Sequence, residues 1–504
     1  MSASSALDIA RGAIFRRDYA AAERLLLDGI KQEPSSELKR ALAGVYRQTG
    51  RDGLAEALLK NLLAIDPGDV ATGFALATLY RDHGRFGTAG SALRAALKNT
   101  SIDTGLAIEA SRLFGECDCN QDALRVTEAA LRLNPDERRL HVRAAMFCMQ
   151  LGRFDEARQH YLQTLGDPIQ ACEWHVPAGL ANAQRYTDAD HPDFARFGAL
   201  LGRHELSAKA RASLNFAIGK AHDDIGDYGS ANGFFREANA LTHGLRHWNR
   251  KQWRRSIASL MSARLALPMP LAQPRAIPIL MVGMPRSGST LAARLLSRHP
   301  DVCNRGELPW LGTLMQHPAM AGTPKPETLS EAAALYETHL LRDDSDARWF
   351  IDKQPFNFRY IDRFLAMFPH ARIIHCTRSP RDVALSLWTQ SFSDEILGFS
   401  CDFADIAAVM QDCNRLMNKW AAQYPASIRE LRYEALVADP DGAIGQISEW
   451  LGLPATAEAA PPSPTDNIST ASLWQARQTV HQRSVARWQH YLPYAPELER
   501  FRTD

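Results

Sequence analysis

The stretch from Ile277 to Pro300 reads IPILMVGMPRSGSTLAARLLSRHP. An apolar run ends at Gly283, a Gly/Ser-rich bend follows, and apolar residues then recur at helical spacing at Leu291, Leu295 and Leu296. The pattern predicts strand, loop and helix. Backbone N–H groups in such a bend converge on an anion, and the positive end of the helix macrodipole adds to the attraction. A nucleoside-triphosphatase loop would read G-x-x-x-x-G-K-[ST], with its lysine on the outer phosphates. Here Gly283 and Gly288 keep that separation, Ser289 stands at the lysine position, and Arg286 is the cation within the loop. The loop therefore suits a ligand whose terminal group is something other than a Mg²⁺-chelated γ-phosphate.

A second stretch, ARIIHCTRSPRDVALSLW from Ala371 to Trp388, repeats the arrangement: a short apolar strand, a bend and a helix. Arg378 follows the strand and offers a charge-assisted donor fork, and Ser386 lies further along the helix with a neutral hydroxyl donor. Two such cradles on one sheet would describe a dinucleotide-sized or bisphosphorylated ligand better than a monophosphate. P-R-S-G-[ST]-T-L after a buried strand resembles the loop by which sulfotransferases hold the 5′-phosphosulfate of 3′-phosphoadenosine 5′-phosphosulfate (PAPS). The resemblance implies that Pro285, Arg286, Ser287, Gly288, Ser289 and Thr290 contact the phosphosulfate, and that Arg378 and Ser386 bind the 3′-phosphate. It also implies that the product is 3′-phosphoadenosine 5′-phosphate and that no metal is required, since arginine and lysine can neutralise the leaving bisphosphate.

Further segments are similar to tyrosylprotein sulfotransferases. In NRGELPW, Glu307 matches that family's general base on the acceptor. In WFIDKQPFNF, Lys353 matches a lysine directed at the bridging oxygen of PAPS, where it would stabilise the departing charge. Asp352 and Gln354 replace the family's Asn and Asp on either side of it. Arg286 would face the sulfonate. In LRYEALVADP, Tyr433 matches an adenosine-contacting tyrosine, and in SLWQARQTVHQRSVARWQHY, Ser472 and Arg487 align with a serine and a lysine that touch the nucleotide. Without the resemblance, the glutamate reads as a helix cap, the lysine as a solvated strand-edge charge and the tyrosine as core.

The first half is repetitive. GRDGLA from Gly50, GRFGTA from Gly84, DCNQDA from Asp118 and GRFDEA from Gly152 recur every 34 residues, each ending on alanine (Ala55, Ala89, Ala123, Ala157). Ala22 begins the series, and a further unit with Gly226 and Ala231 follows a less regular stretch near residues 170–210. The period, the small residues where helices cross and the proline after most units resemble the tetratricopeptide repeat. Such hairpins stack into a superhelix whose groove can hold a peptide or partner protein, or serve only as a folding platform.

The expected fold is thus an α-helical tetratricopeptide-repeat superhelix over residues 1–245, a helical and proline-rich connector over 246–276, and an α/β parallel-sheet sulfotransferase domain with P-loop-like cradles over 277–504. Expected strands are Ile277–Val282, Trp349–Asp352, Arg372–Cys376 and Ile428–Tyr433. At 504 residues the chain has room for several domains, and its net charge of +1 provides no overall field for nucleic acid or an anionic membrane. No run approaches the ~20 apolar residues that span a bilayer, and the start has no apolar core of signal-peptide length. A cytoplasmic location is expected. The eight cysteines form no CxxC pair, which favours reduced thiols.

The reading in best accord with these motifs is PAPS-dependent sulfuryl transfer to a hydroxyl of a protein, peptide (tyrosine included), glycan or small molecule, with the repeats recruiting acceptor or partner. A nucleotide kinase would want a lysine where Ser289 stands. A non-catalytic repeat scaffold with a vestigial nucleotide domain is the remaining alternative.

Overall fold

The computed structural model describes residues 3–246, 248–262, 276–343, 345–392, 395–454 and 480–501. Ser472 and most of the proline-rich connector, residues 263–275, lie outside the described residues. The chain packs as two compact units, residues 1–140 with 341–345, and residues 141–340 with 346–504. The sequence pattern changes near residue 245, where helical hairpins give way to alternating strands and helices. The packing division falls earlier, within the repeats.

The first unit is built of paired helices, Ala3–Phe15 with Tyr19–Gln32, Ser36–Gln48 with Asp52–Ile65, Val70–Asp82 with Phe86–Leu97, and Thr104–Glu116 with Asn120–Leu133. Each of the last three hairpins turns through a left-handed residue, Gly50, Gly84 or Asp118 at φ +71°, +67° and +58°. Glycine bears that conformation without a Cβ clash, and aspartate tolerates it better than most residues. The 34-residue punctuation is therefore a backbone requirement. Ala22, Ala55, Ala89 and Ala123 are all at most 1% exposed, so they sit where any larger side chain would push helices apart.

The second unit begins with more hairpins. Its last pair, Ala208–Asp224 and Tyr228–Leu245, again turns through a left-handed glycine, Gly226 at φ +82°. Between the regular repeats and this pair lie three short helices, Pro168–Glu173, Val176–Asn182 and Pro192–Leu201, each with proline in its first turn. They account for the irregular stretch. The helix Arg250–Ser262 then leads toward the sheet.

Five parallel strands form that sheet: β1 (Ile277–Gly283), β2 (Val302–Asn304), β3 (Trp349–Asp352), β4 (Arg372–Thr377) and β5 (Ile428–Arg432), in the order β2-β3-β1-β4-β5. The strands are apolar on both faces because helices cover both. Ile279, Met281, Ile351, Ile374 and Cys376 pack with Ala292, Leu295, Leu296 and Leu451 in one core cluster, while the alternate residues Leu280, Val282, Phe350 and Ile373 are fully buried too. The short β2 was not among the expected strands, for three residues are too few to show a period. Tyr433 was expected to end β5. It instead opens the helix Tyr433–Ala438, because the strand pairing runs out at Arg432 opposite Thr377.

Among the described residues no helix is long and apolar enough to cross a membrane. Gly283 closes β1 at φ +140°, and a Cβ there would lie 2.4 Å from the Cys376 carbonyl oxygen of β4. Gly283→Ala should destabilise the sheet unit by about 1–3 kcal/mol, with strain and overlap acting together. Chemical denaturation followed by tryptophan fluorescence checks this, and an unchanged midpoint would contradict it.

Candidate active site

All five strands are parallel, so their carboxyl ends share one edge of the sheet, where α/β folds bind ligands. Gly283, Asn304, Asp352, Thr377 and Arg432 are the last strand residues, and Arg286, Glu307, Lys353, Arg378 and Tyr433 follow them by one to three positions. Topology alone thus gathers five residues from distant parts of the chain. A cleft of about 510 Å³ opens at this edge, and Arg286, Gly288, Ser289, Thr290, Glu307, Arg378 and Tyr433 are among the residues lining it.

The first loop is held in an unusual shape. Arg286 has φ +72° and Gly288 φ +92°, so a non-glycine residue carries left-handed backbone strain beside the helix Ser289–Leu296. Tyr433 packs directly on the bend, since a Cβ at Gly288 would come within 2.4 Å of its ring. The ring also lies under Arg378, 4.6 Å from the guanidinium carbon to the ring centroid. Tyr433 is therefore both a buried support for two loops and a wall of the cleft. Ser287 is 3% exposed, and among the described residues its hydroxyl has no hydrogen-bond partner. A buried hydroxyl of this kind is costly unless a ligand completes it.

The two cradles meet. Arg286 Nε donates to Ser386 Oγ at 2.9 Å, and Arg378 Nη1 donates to the Arg286 carbonyl oxygen at 3.1 Å. A second, small cavity of about 20 Å³ is lined by Arg286, Arg378, Asp382, Ser386, Ser484 and Arg487, among others. Burial, with Arg378 and Arg487 nearby, pulls the Arg286 guanidinium down to about 10. Burial also lowers Arg378, whose Nε is buried and without a partner among the described residues. Cations crowded and desolvated in this way favour an anion among them. Arg487 differs: burial opposes its charge, but Asp223 outweighs that and raises it.

Glu307 and Lys353 also come together. Gly306 takes φ +69°, and its carbonyl accepts the Lys353 N–H at 2.8 Å, which ties the β2 turn to the end of β3. Lys353 Nζ donates to Glu307 Oε1, with the lysine buried and the carboxylate more than one-third exposed. A base open to the cleft beside a buried cation is an arrangement that can take a proton from a hydroxyl and stabilise a leaving oxygen.

Several contributors were not foreseen. Asp352 is fully buried behind Lys353 and accepts from Tyr336 Oη at 2.6 Å, Asn357 Nδ2 at 3.0 Å and the Leu308 N–H at 3.3 Å. The one signal for it was a carboxylate closing an otherwise apolar strand. Asp382 accepts the N–H groups of Ala486 and Trp488 at 2.8 and 3.2 Å, and Glu434 accepts that of Ser379 at 2.8 Å. Arg294, Arg359 and His481 also line the cleft, and no spacing rule pointed to them.

Comparison with known proteins follows the same division of the chain. Residues 278–458 match the sulfotransferase family, and residues 7–70 and 120–170 match the tetratricopeptide repeat. An "uncharacterized protein" of Aquifex aeolicus (strain VF5) is 29% identical over 323 residues, covering 60% of this chain and 42% of the relative. The nodulation protein NoeE of Sinorhizobium fredii is 28% identical over 247 residues, covering 41% of this chain and 59% of that protein. The chain thus spans less than two-thirds of either relative. Among solved structures, the sulfotransferase domain of the Synechococcus PCC 7002 olefin synthase aligns with a TM-score of 0.33 at 19% identity, over 47% of this chain and 99% of that one.

Burial pushes the Asp352 carboxyl up to about 7, against the pull of the Tyr336 and Leu308 donors and of Lys353. A raised carboxyl means that the folded state keeps a proton the unfolded chain has released. The resulting stability is complete below about pH 4 and lost as pH rises through 7. Asp352→Asn, which cannot ionise, should remove this dependence. Between pH 4 and 8 the natural protein should lose on the order of 3–4 kcal/mol relative to the variant, measured by denaturant titration. Parallel pH profiles would show that the three donors keep Asp352 ionised throughout. The chain carries tetratricopeptide repeats and a domain of the sulfotransferase family.

Proposed function

We propose that this chain is a PAPS-dependent sulfotransferase acting on a hydroxyl acceptor. The observation that carries the proposal is that two cradles from separate motifs join through the Arg286–Ser386 hydrogen bond, beside a cleft lined by Glu307, whose carboxylate pairs with the buried Lys353. One ligand with anions at both ends fits that junction better than two independent anions. The sulfotransferase-family match over 278–458 supports the same chemistry. The residues present suit the donor: an orphaned Ser287 hydroxyl in the bend, clustered guanidiniums at the small cavity, and a tyrosine ring on the cleft wall.

In this reading Ser287, Gly288, Ser289 and Thr290 hold the 5′-phosphosulfate with Pro285 shaping the bend, Arg378 and Ser386 hold the 3′-phosphate, and Tyr433 faces the adenosine. Arg487 reaches the same small cavity, and Ser472 remains a nucleotide contact by resemblance alone. PAPS supplies a sulfuryl group joined to phosphate through an oxygen that departs with the bisphosphate. Glu307 takes the proton of the acceptor hydroxyl as the new S–O bond forms and the old one breaks. Lys353 shifts from Glu307 to the departing oxygen, and Arg286 balances charge on the transferring group. The repeats recruit a protein or peptide, and tyrosine is the first hydroxyl to test.

Calorimetry should show saturable binding of 3′-phosphoadenosine 5′-phosphate without Mg²⁺. Arg378→Ala should weaken it about 10- to 100-fold, the loss of a charge-assisted contact, and Ser386→Ala about 3- to 10-fold, a neutral one. Tighter binding of ATP than of the bisphosphate would overturn the donor assignment. With labelled PAPS and a tyrosine peptide library, Glu307→Gln should lower kcat about 10²- to 10⁴-fold while bisphosphate binding stays within a few-fold. Full turnover by that variant would remove Glu307 as the base.

A further inference from the structure

The helix Ala208–Asp224 belongs by sequence to the repeats, yet near its end Asp223 pairs with Arg487, a residue that lines the small cavity beside the cleft. Asp223 is the next-to-last residue of that helix. The negative end of a helix macrodipole disfavours a carboxylate there, so its position calls for a cationic partner. That partner is Arg487, whose Nη2 pairs with Asp223 Oδ2, while Tyr491 Oη donates to Oδ1 at 2.5 Å. Both oxygens are thus engaged by residues more than 260 positions away in sequence. The next helix, Tyr228–Leu245, grips the same segment: Arg236 donates two hydrogen bonds to the Glu497 carboxylate, both at 2.9 Å, and Tyr228 stacks on His490 at 4.8 Å between ring centroids. Asp382, which holds the Ala486 and Trp488 N–H groups, fixes the segment from the sheet side. Arg487 therefore both touches a repeat carboxylate and lines the cavity shared by Arg286, Arg378 and Ser386.

We propose that Asp223 is a positioning residue for the nucleotide site: the last repeat hairpin aims Arg487 at the 3′-phosphate and so sets the selectivity for a bisphosphorylated over a monophosphorylated nucleotide. This rests on the donor reading given under Proposed function. The hairpin then has a role beyond recruitment, because binding at the small cavity depends on a side chain from the repeats. An arginine held by a fixed carboxylate presents its remaining N–H groups in one direction, whereas an unheld one spends rotamer freedom on binding.

The test compares the affinity of the full chain for 3′-phosphoadenosine 5′-phosphate with that for adenosine 5′-phosphate by calorimetry. Asp223→Asn should reduce the ratio of the two affinities by roughly fivefold or more, chiefly through the bisphosphate. A loss of general packing would weaken both ligands equally and leave the ratio alone. In the Arg487→Ala background the same change should have no further effect on the ratio, as expected for residues acting as one unit. An unchanged ratio in folded Asp223→Asn, or a further fall in the Arg487→Ala background, would overturn the proposal. Should Asp223→Asn fail to fold, Tyr491→Phe loosens the same carboxylate and should lower the ratio in the same direction; an unchanged ratio there overturns it equally. If the natural protein binds neither nucleotide, the donor reading itself falls, which the ratio measurement distinguishes from failure of the Asp223 link.

Discussion

Arg286 and Arg378 repel each other, and the structure nevertheless holds them side by side at the ends of neighbouring parallel strands. Their closeness is imposed by backbone. Gly283 must lie against the Cys376 carbonyl, Arg286 itself takes a left-handed conformation, and Gly288 leaves room for the Tyr433 ring. Two like charges in a region with little water raise the free energy of the unliganded protein. A dianionic ligand relieves that repulsion, so the cost of assembling the site appears as affinity when the ligand binds. The rest of the domain serves this geometry, from the covered sheet to the Glu434 and Asp382 carboxylates that fasten each loop.

The loops themselves were legible because each combined three local signals: an apolar strand, a small-residue bend and the start of an amphipathic helix. Ser289, Arg378 and Ser386 could be placed on that basis before any coordinates. The hairpin turns at Gly50, Gly84 and Asp118 were equally readable, since a left-handed backbone leaves a periodic trace. What could not be read was any contact whose partners lie far apart and follow no period. In the sequence Asp352 was visible only as a replacement for asparagine that alters the setting of Lys353, whereas in the fold it is the hub of a buried network that fixes Leu308. Asp223 sat in an ordinary repeat helix with nothing to mark it as the counterion of Arg487. Tyr433 could be assigned to a strand or to the turn after it, and only the end of pairing at Arg432 decides.

Three unforeseen carboxylates, Asp223, Asp382 and Asp352, illustrate one rule. A cationic site for an anionic ligand needs its cations oriented without being neutralised. Asp223 engages Arg487 directly, and Asp382, itself on the cavity wall, holds the neighbouring Ala486 and Trp488 by their N–H groups. Asp352 lies next to Lys353 in the chain, its charge governed first by burial and then by the Tyr336 and Leu308 donors and Lys353. From residue 141 onward the later repeat helices pack in one compact unit with the sheet, and the Asp223–Arg487 pair lies within it.

The central claim is that both phosphates of one nucleotide occupy the joined cradles together. Phosphorus NMR of 3′-phosphoadenosine 5′-phosphate titrated with the full chain tests it most directly. The account predicts that the 3′- and 5′-phosphate resonances shift with one shared midpoint. A titration in which only one resonance moves, or in which the two move with different midpoints, would contradict it.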